Sequence, residues 1–292
     1  MSKIRLSIIG CGNVAQTLAH LWLKASLVDV VDVVNRSEES ANKAVEFIGA
    51  GTSHGSFDNL QQADVFLIGC QDDLIEECLN QLLLTKVVNT GNIIFHSSGS
   101  KSSAVLDKAK KPGALIASLH PVKSFANPAT AINSFQHTYC GLEGDKKAVE
   151  VLTEWVEAIG GIPFGIDADN KMLYHAASVF ACNYLVALEE LSLKAFEQSG
   201  VERELAMKIL EPIVKETADN IFTMGTANAL TGPIARGDFQ VVAEQLKEVE
   251  AWDKSAGQLY KRLGEICAEL SEQQGSATKS SIDKIKKRLS EG

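Results

Sequence analysis

Two groups of side chains in this sequence have the types and spacing for bond-making chemistry. The first occupies two polar runs, His96-Ser97-Ser98-Gly99-Ser100 and Ser118-Leu119-His120-Pro121-Val122-Lys123, each placed directly after a short apolar run that reads as a strand. Gathered at strand ends, Ser97, Ser98 and His120 can grip a substrate carbonyl or carboxylate, and the imidazole can carry a proton. The plainer reading of the same residues is a serine that caps the following helix and a histidine bonded to backbone. The second group is Lys171, His175, Ser178 and Cys182, at spacings of four, three and four. On a helix they fall on one polar stripe among apolar neighbours such as Met172, Leu173 and Phe180. A buried lysine and histidine one turn apart need partners or a ligand, because an unpaired buried charge is costly. Lys171 then polarises or protonates a developing alkoxide or amine, and His175 orients it or relays the proton. The alternative is a surface lysine at the helix start and a core histidine. Asn183 points to another face of the same helix. A further run, Thr231-Gly232-Pro233-Ile234-Ala235-Arg236-Gly237-Asp238, offers Arg236 either as a fork for an anionic group or as a loop staple to Asp238.

A hydride carrier for such a site is indicated at the amino end. Gly10-Cys11-Gly12-Asn13-Val14-Ala15 follows an apolar strand and opens a helix, the context in which a Gly-x-Gly-x-x-Gly/Ala run cradles a dinucleotide. Gly10 allows the tight turn, Gly12 clears the pyrophosphate, and Ala15 lets helix and strand approach. The amides of Asn13 and Val14 face the phosphates at the positive helix end. The second strand ends in Asn35-Arg36-Ser37 and carries no acidic residue at its tip. A guanidinium pairs with a 2′-phosphate and stacks on adenine, so NADP is favoured over NAD. Asp32 could serve the ribose instead if the strand ended earlier. Gln71 and Asp72, after the strand at Val65–Gly69, are neighbours for the nicotinamide half together with Ser98, although Asp72 or Asp73 could equally cap the next helix.

These residues need a framework, and the chain's patterning supplies one. Through residue 166, β-branched strand runs (4–9, 30–35, 65–69, 92–95, 115–119, 137–141, 162–166) alternate with helical ones (14–25, 38–48, 73–84, 102–110, 146–159). That alternation implies an α/β Rossmann fold, a doubly wound and mostly parallel sheet. From residue 167 the periodicity is helical throughout, giving an all-α C-terminal domain, so the expected division is 1–166 for NADP binding and 167–292 for substrate and dimerisation. The polar tail from Ser271 reads as loosely attached. At 292 residues and 45% hydrophobic content, the chain buries a sizeable core. The net charge of −9 disfavours nucleic acid and anionic membrane as partners. Six scattered cysteines, without metal-ligand spacing, imply no metal centre and reduced thiols in a cytoplasmic protein. The amino end lacks the pattern of a secretory signal.

Taken together, the glycine run, Asn35-Arg36-Ser37, His96-Ser97-Ser98-Gly99-Ser100, Leu119-His120-Pro121, Tyr174-His175-Ala176-Ala177 and the run from Thr231 to Asp238 resemble a family of Rossmann-like NADP oxidoreductases with a DUF2520-type helical C-terminal domain. More distantly the chain is similar to the β-hydroxyacid dehydrogenases, pyrroline-carboxylate reductase, ketopantoate reductase and F420-dependent NADP reductase. The hydroxyacid and ketopantoate enzymes place a catalytic lysine where Lys171 stands, with asparagine four residues on; here that position is His175. The resemblance implies a homodimer joined through the helical domain. The expected function is hydride transfer between NADP(H) and a small, anionic carbonyl, imine or hydroxy-acid substrate, in a cleft between the domains lined by Ser98, His120, Lys171 and His175. The alternatives are a non-catalytic NADP-binding sensor or scaffold, which would show a sealed polar stripe, and an F420-dependent NADP reductase, which would show a wide, flat apolar cleft.

Overall fold

A computed structural model describes residues 3–291, which fall into two compact units, 3–182 and 183–291. The division follows Cys182 and not the composition shift at Asp167, because the first turn of the helix after that shift is anchored in the sheet unit through buried Lys171.

The first unit is built on an eight-stranded sheet: β1 (Ile4–Ile9), β2 (Val28–Val34), β3 (Thr52–His54), β4 (Val65–Ile68), β5 (Ile93–His96), β6 (Leu115–Pro121), β7 (Tyr139–Gly144) and β8 (Ile162–Gly165). The spatial order is β3-β2-β1-β4-β5-β6-β7-β8, and only the β6–β7 pairing is antiparallel. The order reverses direction at β1, between β2 and β4, so a crevice is expected beyond the carboxyl ends of β1 and β4. Helices α1 (Asn13–Lys24), α2 (Glu38–Ile48), α3 (Ile75–Leu84), α4 (Pro128–Asn133), α5 (Lys146–Ala158) and α6 (Lys171–Ala181) belong to this unit. A 3-10 segment over Ser103–Lys110 stands where an α-helix is expected. β3 and α4 lie in stretches read as connections, each too short to carry a periodic signal.

Strand residues alternate between two apolar layers, as a sheet covered on both faces requires. One layer joins Leu6, Ile8 and Phe95 to Trp22 of α1 and Trp155 of α5, where the Trp22 indole donates to the Trp155 carbonyl at 3.2 Å. The other joins Ile9, Phe66 and Ile94 to Ile75, Leu79 and Leu82 of α3. With both faces sealed, the polar strand ends are left to face the crevice.

The second unit is helical: α7 (Asn183–Gln198), α8 (Arg203–Met224), α9 (Thr226–Ala229), α10 (Gly232–Arg236), α11 (Phe239–Trp252), α12 (Lys254–Gln274) and α13 (Lys279–Ser290). Its core joins Val242 and Leu246 of α11, Ala268 of α12 and Ile282, Ile285 and Leu289 of α13. The tail is therefore packed, correcting the expectation of loose attachment: three apolar residues on one face of an otherwise polar helix suffice to hold it. The run from Thr231 forms the short α10, whose left-handed cap Gly237 (φ 74°) leads to Asp238. Arg236 donates to Asp238 at 2.9 Å with its guanidinium largely exposed, which is the staple rather than a fork for an anion. Among the described residues, the stretch Ala168–Gln198 is long and apolar enough, by length and composition, to cross a membrane; it is interrupted at Cys182.

Candidate active site

The glycine turn is tightened from both sides. Gly10 has φ 77°, and a Cβ there would lie 2.6 Å from the Cβ of Cys70. A Cβ on Gly69 would lie 2.6 Å from the Gly10 carbonyl oxygen and 2.8 Å from the Cβ of Ala15. The exits of β1 and β4 thus touch, and Ala15 is fully buried at their contact with α1, as its small size allows. Gly12 differs: the nearest atom to an added Cβ is the Gly69 oxygen at 3.7 Å, so the space above its backbone is open. No side chain caps α1, which leaves the amides of its first turn, including Asn13 and Val14, available to an anion. Those backbone groups and that gap fit a pyrophosphate.

Around the turn, neutral side chains build the walls. The Asn35 carbonyl accepts from the Cys11 amide at 2.6 Å, so Asn35 shapes the turn as well as lining the crevice. The Asn13 amide donates to the carbonyls of Phe125 and Ala126 at 2.8 and 3.1 Å, tying the loop after β6 to the start of α1. Ser37 caps α2 by accepting from the Ser40 amide. Arg36 is exposed and lines a cavity of about 500 Å³ together with Gly10, Gly12, Asn35, Ser40 and Gln71. The alternative acid, Asp32, is fully buried within β2 and accepts from the Gln61 amide at 2.8 Å while pairing with His54 at 2.9 Å. It is committed to the sheet edge, and the tip of β2 is Asn35-Arg36-Ser37 as the sequence indicates.

A second chamber of about 360 Å³ adjoins the first, sharing Gly12, Gly69 and Cys70. It is lined by Asn13, Val14, Asp72, Ser97, Ser98, Gly99, His120, Lys123 and His175, all within the first unit. The sequence thus brings Ser97, Ser98, His120, His175 and Asp72 together as proposed for a site, while Gln71 faces the other cavity. Gly99 is what lets the imidazoles close on the β5 loop: a Cβ there would lie 2.6 Å from His175 Nδ1 and 2.7 Å from His120 Nε2. The two rings meet edge to face at 5.9 Å. The Tyr174 hydroxyl and His120 Nδ1 are 2.9 Å apart, which directs the ring's Nε2 toward Gly99 and the chamber. Burial, then the neighbouring His175 and Lys171, pulls His120 down to about 4, so it is a neutral imidazole at ordinary pH. His175 Nδ1 is buried and has no hydrogen-bond partner among the described residues.

Asp72 is clamped by hydroxyls, its Oδ2 accepting from Ser98 at 2.7 Å and from Ser100 at 2.6 Å. Burial pushes this carboxyl up, but the Ser100 and Ser98 hydrogen bonds and the imidazoles of His96 and His175 outweigh it, holding Asp72 below the usual carboxylate range. His96 lies outside the chamber lining. Fully buried, it accepts from the Ser98 amide at Nδ1 and meets the Ser102 carbonyl through Nε2, and burial takes it down to about 4.

Lys171 is also held elsewhere. Only 1% exposed, its ammonium pairs with Glu143 of β7 at 3.1 Å and donates to the Ser118 hydroxyl. Glu143 in turn accepts from the amide and hydroxyl of Ser103 at 2.7 and 2.6 Å. Burial lowers Lys171 from the ordinary lysine value, opposed by Glu143. Lys171 does not line the chamber; it reaches it only through Ser118, whose hydroxyl meets the Ser98 carbonyl at 3.5 Å. The polar stripe on α6 therefore divides: Lys171 is buried, His175 faces the chamber and Cys182 is exposed. The Lys171–Glu143 pair, the Tyr174–His120 contact and the Asp72–Ser98–Ser100 clamp carry no sequence signal as contacts, because register and loop closure, not local spacing, create them.

Such a sheet, with a glycine cradle at its reversal point and a polar chamber beside it, defines a Rossmann-like fold. The chain matches the Rossmann-like domain family over residues 1–121 and DUF2520, a domain of unknown function, over residues 138–266. It is similar to protein TM1727 from Thermotoga maritima, with 30% identity, 92% of this chain and 99% of that one covered, and a TM-score of 0.74. The chain belongs to the family that joins a Rossmann-like domain to a DUF2520 domain. Its fold is shared by BF3122 of Bacteroides fragilis, provisionally named an NADP oxidoreductase (20% identity, 91% and 98% covered, TM-score 0.70), and by an imine reductase from Pseudomonas sp. (23% identity, 97% and 99% covered, TM-score 0.61). No curated protein matches the chain.

Proposed function

We propose that the protein is an NADP(H)-dependent oxidoreductase acting on a small carbonyl, imine or hydroxy-acid substrate. The observation that carries this reading is the join between the two cavities at Gly12, Gly69 and Cys70. A dinucleotide laid across the turn has room for its adenosine end beside Arg36 and for its nicotinamide end beside His120 and His175. A polar, partly enclosed chamber at that place favours an enzyme over a sensor with a sealed stripe, and over the flat apolar cleft that a deazaflavin needs. The name of the Bacteroides fragilis neighbour and the NADP bound to pyrroline carboxylate reductase from Plasmodium falciparum, a fold relative at 14% identity, agree with the cofactor choice suggested by Arg36.

In this reading the first-turn amides of α1 hold the pyrophosphate, Arg36 holds the 2′-phosphate, and Asn35 and Ser37 shape the wall around it. The dinucleotide supplies the hydride. The neutral imidazole of His120, oriented by Tyr174, gives or takes the proton on the substrate heteroatom. His175 presents its free Nδ1 beside it, and Ser97 and Ser98 position the substrate. Lys171 serves from behind as a positioning residue, bracing Ser118 and through it the β5 loop. Exposed apolar side chains on α6, α7 and α8, among them Leu173, Val186 and Phe222, support a homodimer. The test is NADPH oxidation against a panel of keto acids, aldehydes and cyclic imines. Turnover on at least one class that is reduced in His120→Ala supports the reading, whereas tight cofactor binding without turnover on any would favour the sensor.

A further inference from the structure

We propose that the chamber recognises a cationic nitrogen, an iminium or ammonium group, through Asp72. The inference rests on the oxidoreductase reading for its reaction but on the chamber alone for its charge preference.

No ion pair to Asp72 occurs among the described residues. Its Oδ2 is spent on the hydroxyls of Ser98 and Ser100, and no hydrogen bond to its Oδ1 occurs among the described residues. Lys171 is paired with Glu143, while Lys123 and His175 line the same chamber and His175 helps hold Asp72 ionised, yet neither makes a hydrogen bond to it among the described residues. Lys123 belongs to the loop that Asn13 ties to the start of α1. His120 and His96 are neutral where they stand. Each hydroxyl clamp adds a donor to the same carboxylate oxygen, an arrangement that secures the ionised form and fixes its plane. A carboxylate kept ionised in a partly enclosed space favours a positively charged guest over an uncharged one of equal shape.

The chemistry follows directly. A protonated imine carries its positive charge on C=N, and hydride delivered to the carbon moves the π pair to nitrogen, so that iminium and hydride become a neutral amine. Asp72 beside the nitrogen keeps the imine protonated, and therefore electrophilic, at neutral pH. The amine so formed takes a proton from water and leaves as an ammonium. A neutral ketone gains nothing from such a group, since an alkoxide developing near Asp72 is repelled.

The test compares cyclohexylammonium with cyclohexanol, two probes of one shape and different charge, by calorimetric or NMR titration of the full chain with and without NADP. Wild type is expected to bind the amine about tenfold or more tightly than the alcohol, the scale of a hydrogen bond to a charged group. Asp72→Asn should remove that preference. Equal binding of the two probes by wild type overturns the proposal, with no variant needed. So does a preference that persists in Asp72→Asn, or a loss of NADPH affinity in that variant with the preference intact, which would make Asp72 a cofactor ligand. Failure of NADPH to bind at all, with the amine preference present, would instead sink the oxidoreductase reading and leave the cation site standing.

Discussion

The hydroxyl of Tyr174 lies 2.9 Å from Nδ1 of His120, on the side of the ring opposite the nitrogen that faces Gly99. One hydrogen bond thus sets which imidazole nitrogen meets the chamber, and burial keeps the ring neutral. Nitrogen-edited NMR should show His120 as a single neutral tautomer from about pH 5 upward, since its pKa stands at about 4. Tyr174→Phe should yield a tautomer mixture. Protonation of His120 near pH 6.5 would contradict this picture.

The same burial makes stability depend on pH in one direction. His96 is taken from 6.5 to about 4, so the unfolded chain binds a proton there more readily than the folded one. Stability from this group is complete above about pH 6.5 and falls as pH drops toward 4, by roughly 3 kcal/mol, since each tenfold loss of proton affinity is worth about 1.4 kcal/mol. Urea denaturation midpoints should decline across that window, and His96→Gln should reduce the decline, with the remainder carried by His120.

Gly99→Ala is predicted to close the chamber without touching the cradle. The added methyl would lie 2.6 Å from His175 Nδ1 and 2.7 Å from His120 Nε2, so both rings must move. Turnover on whichever substrate the wild type accepts should fall at least about a hundredfold, within the range that proton transfer contributes. NADPH affinity should change little, because the cradle glycines lie elsewhere.

How much of this was legible in the sequence depends on whether a feature is local. The glycine turn, the position of Arg36 after β2 and the strand-end placement of Ser97, Ser98 and His120 follow from short runs in their own context, and the structure has each at that position. The role read into Lys171 does not survive in that form. Helical spacing puts Lys171 and His175 on one stripe, but it cannot reveal that antiparallel β7 brings Glu143 under the first turn of α6. Likewise the clamp on Asp72 joins residues from the ends of β4 and β5, which only the sheet brings together.

The Lys171–Glu143 pair should behave as a buried ion pair in which each charge needs the other. Glu143→Gln or Lys171→Met alone should cost about 3–5 kcal/mol of stability by denaturant titration, because each leaves an uncompensated charge. The double variant should recover most of that loss. Additive costs in the double variant would show that the two residues act independently.

Apolar exposure on the helices predicts a partner of the same kind. Phe222 is 89% exposed and Val186 71%. Light scattering should give twice the 31.4 kDa chain mass, and Val186→Glu with Phe222→Glu should shift the protein toward the monomer. A monodisperse wild-type monomer at micromolar concentration would contradict this.

The central claim is that bare amides at Gly12 and the start of α1 hold a dinucleotide whose 2′-phosphate meets Arg36. Direct titration with NADPH and NADH, followed by nicotinamide fluorescence, tests it. The account predicts saturable binding of one NADPH per chain, tighter than NADH, with Arg36→Ala lowering NADPH affinity about tenfold or more and leaving NADH unchanged. Absence of saturable binding by either nucleotide would contradict it.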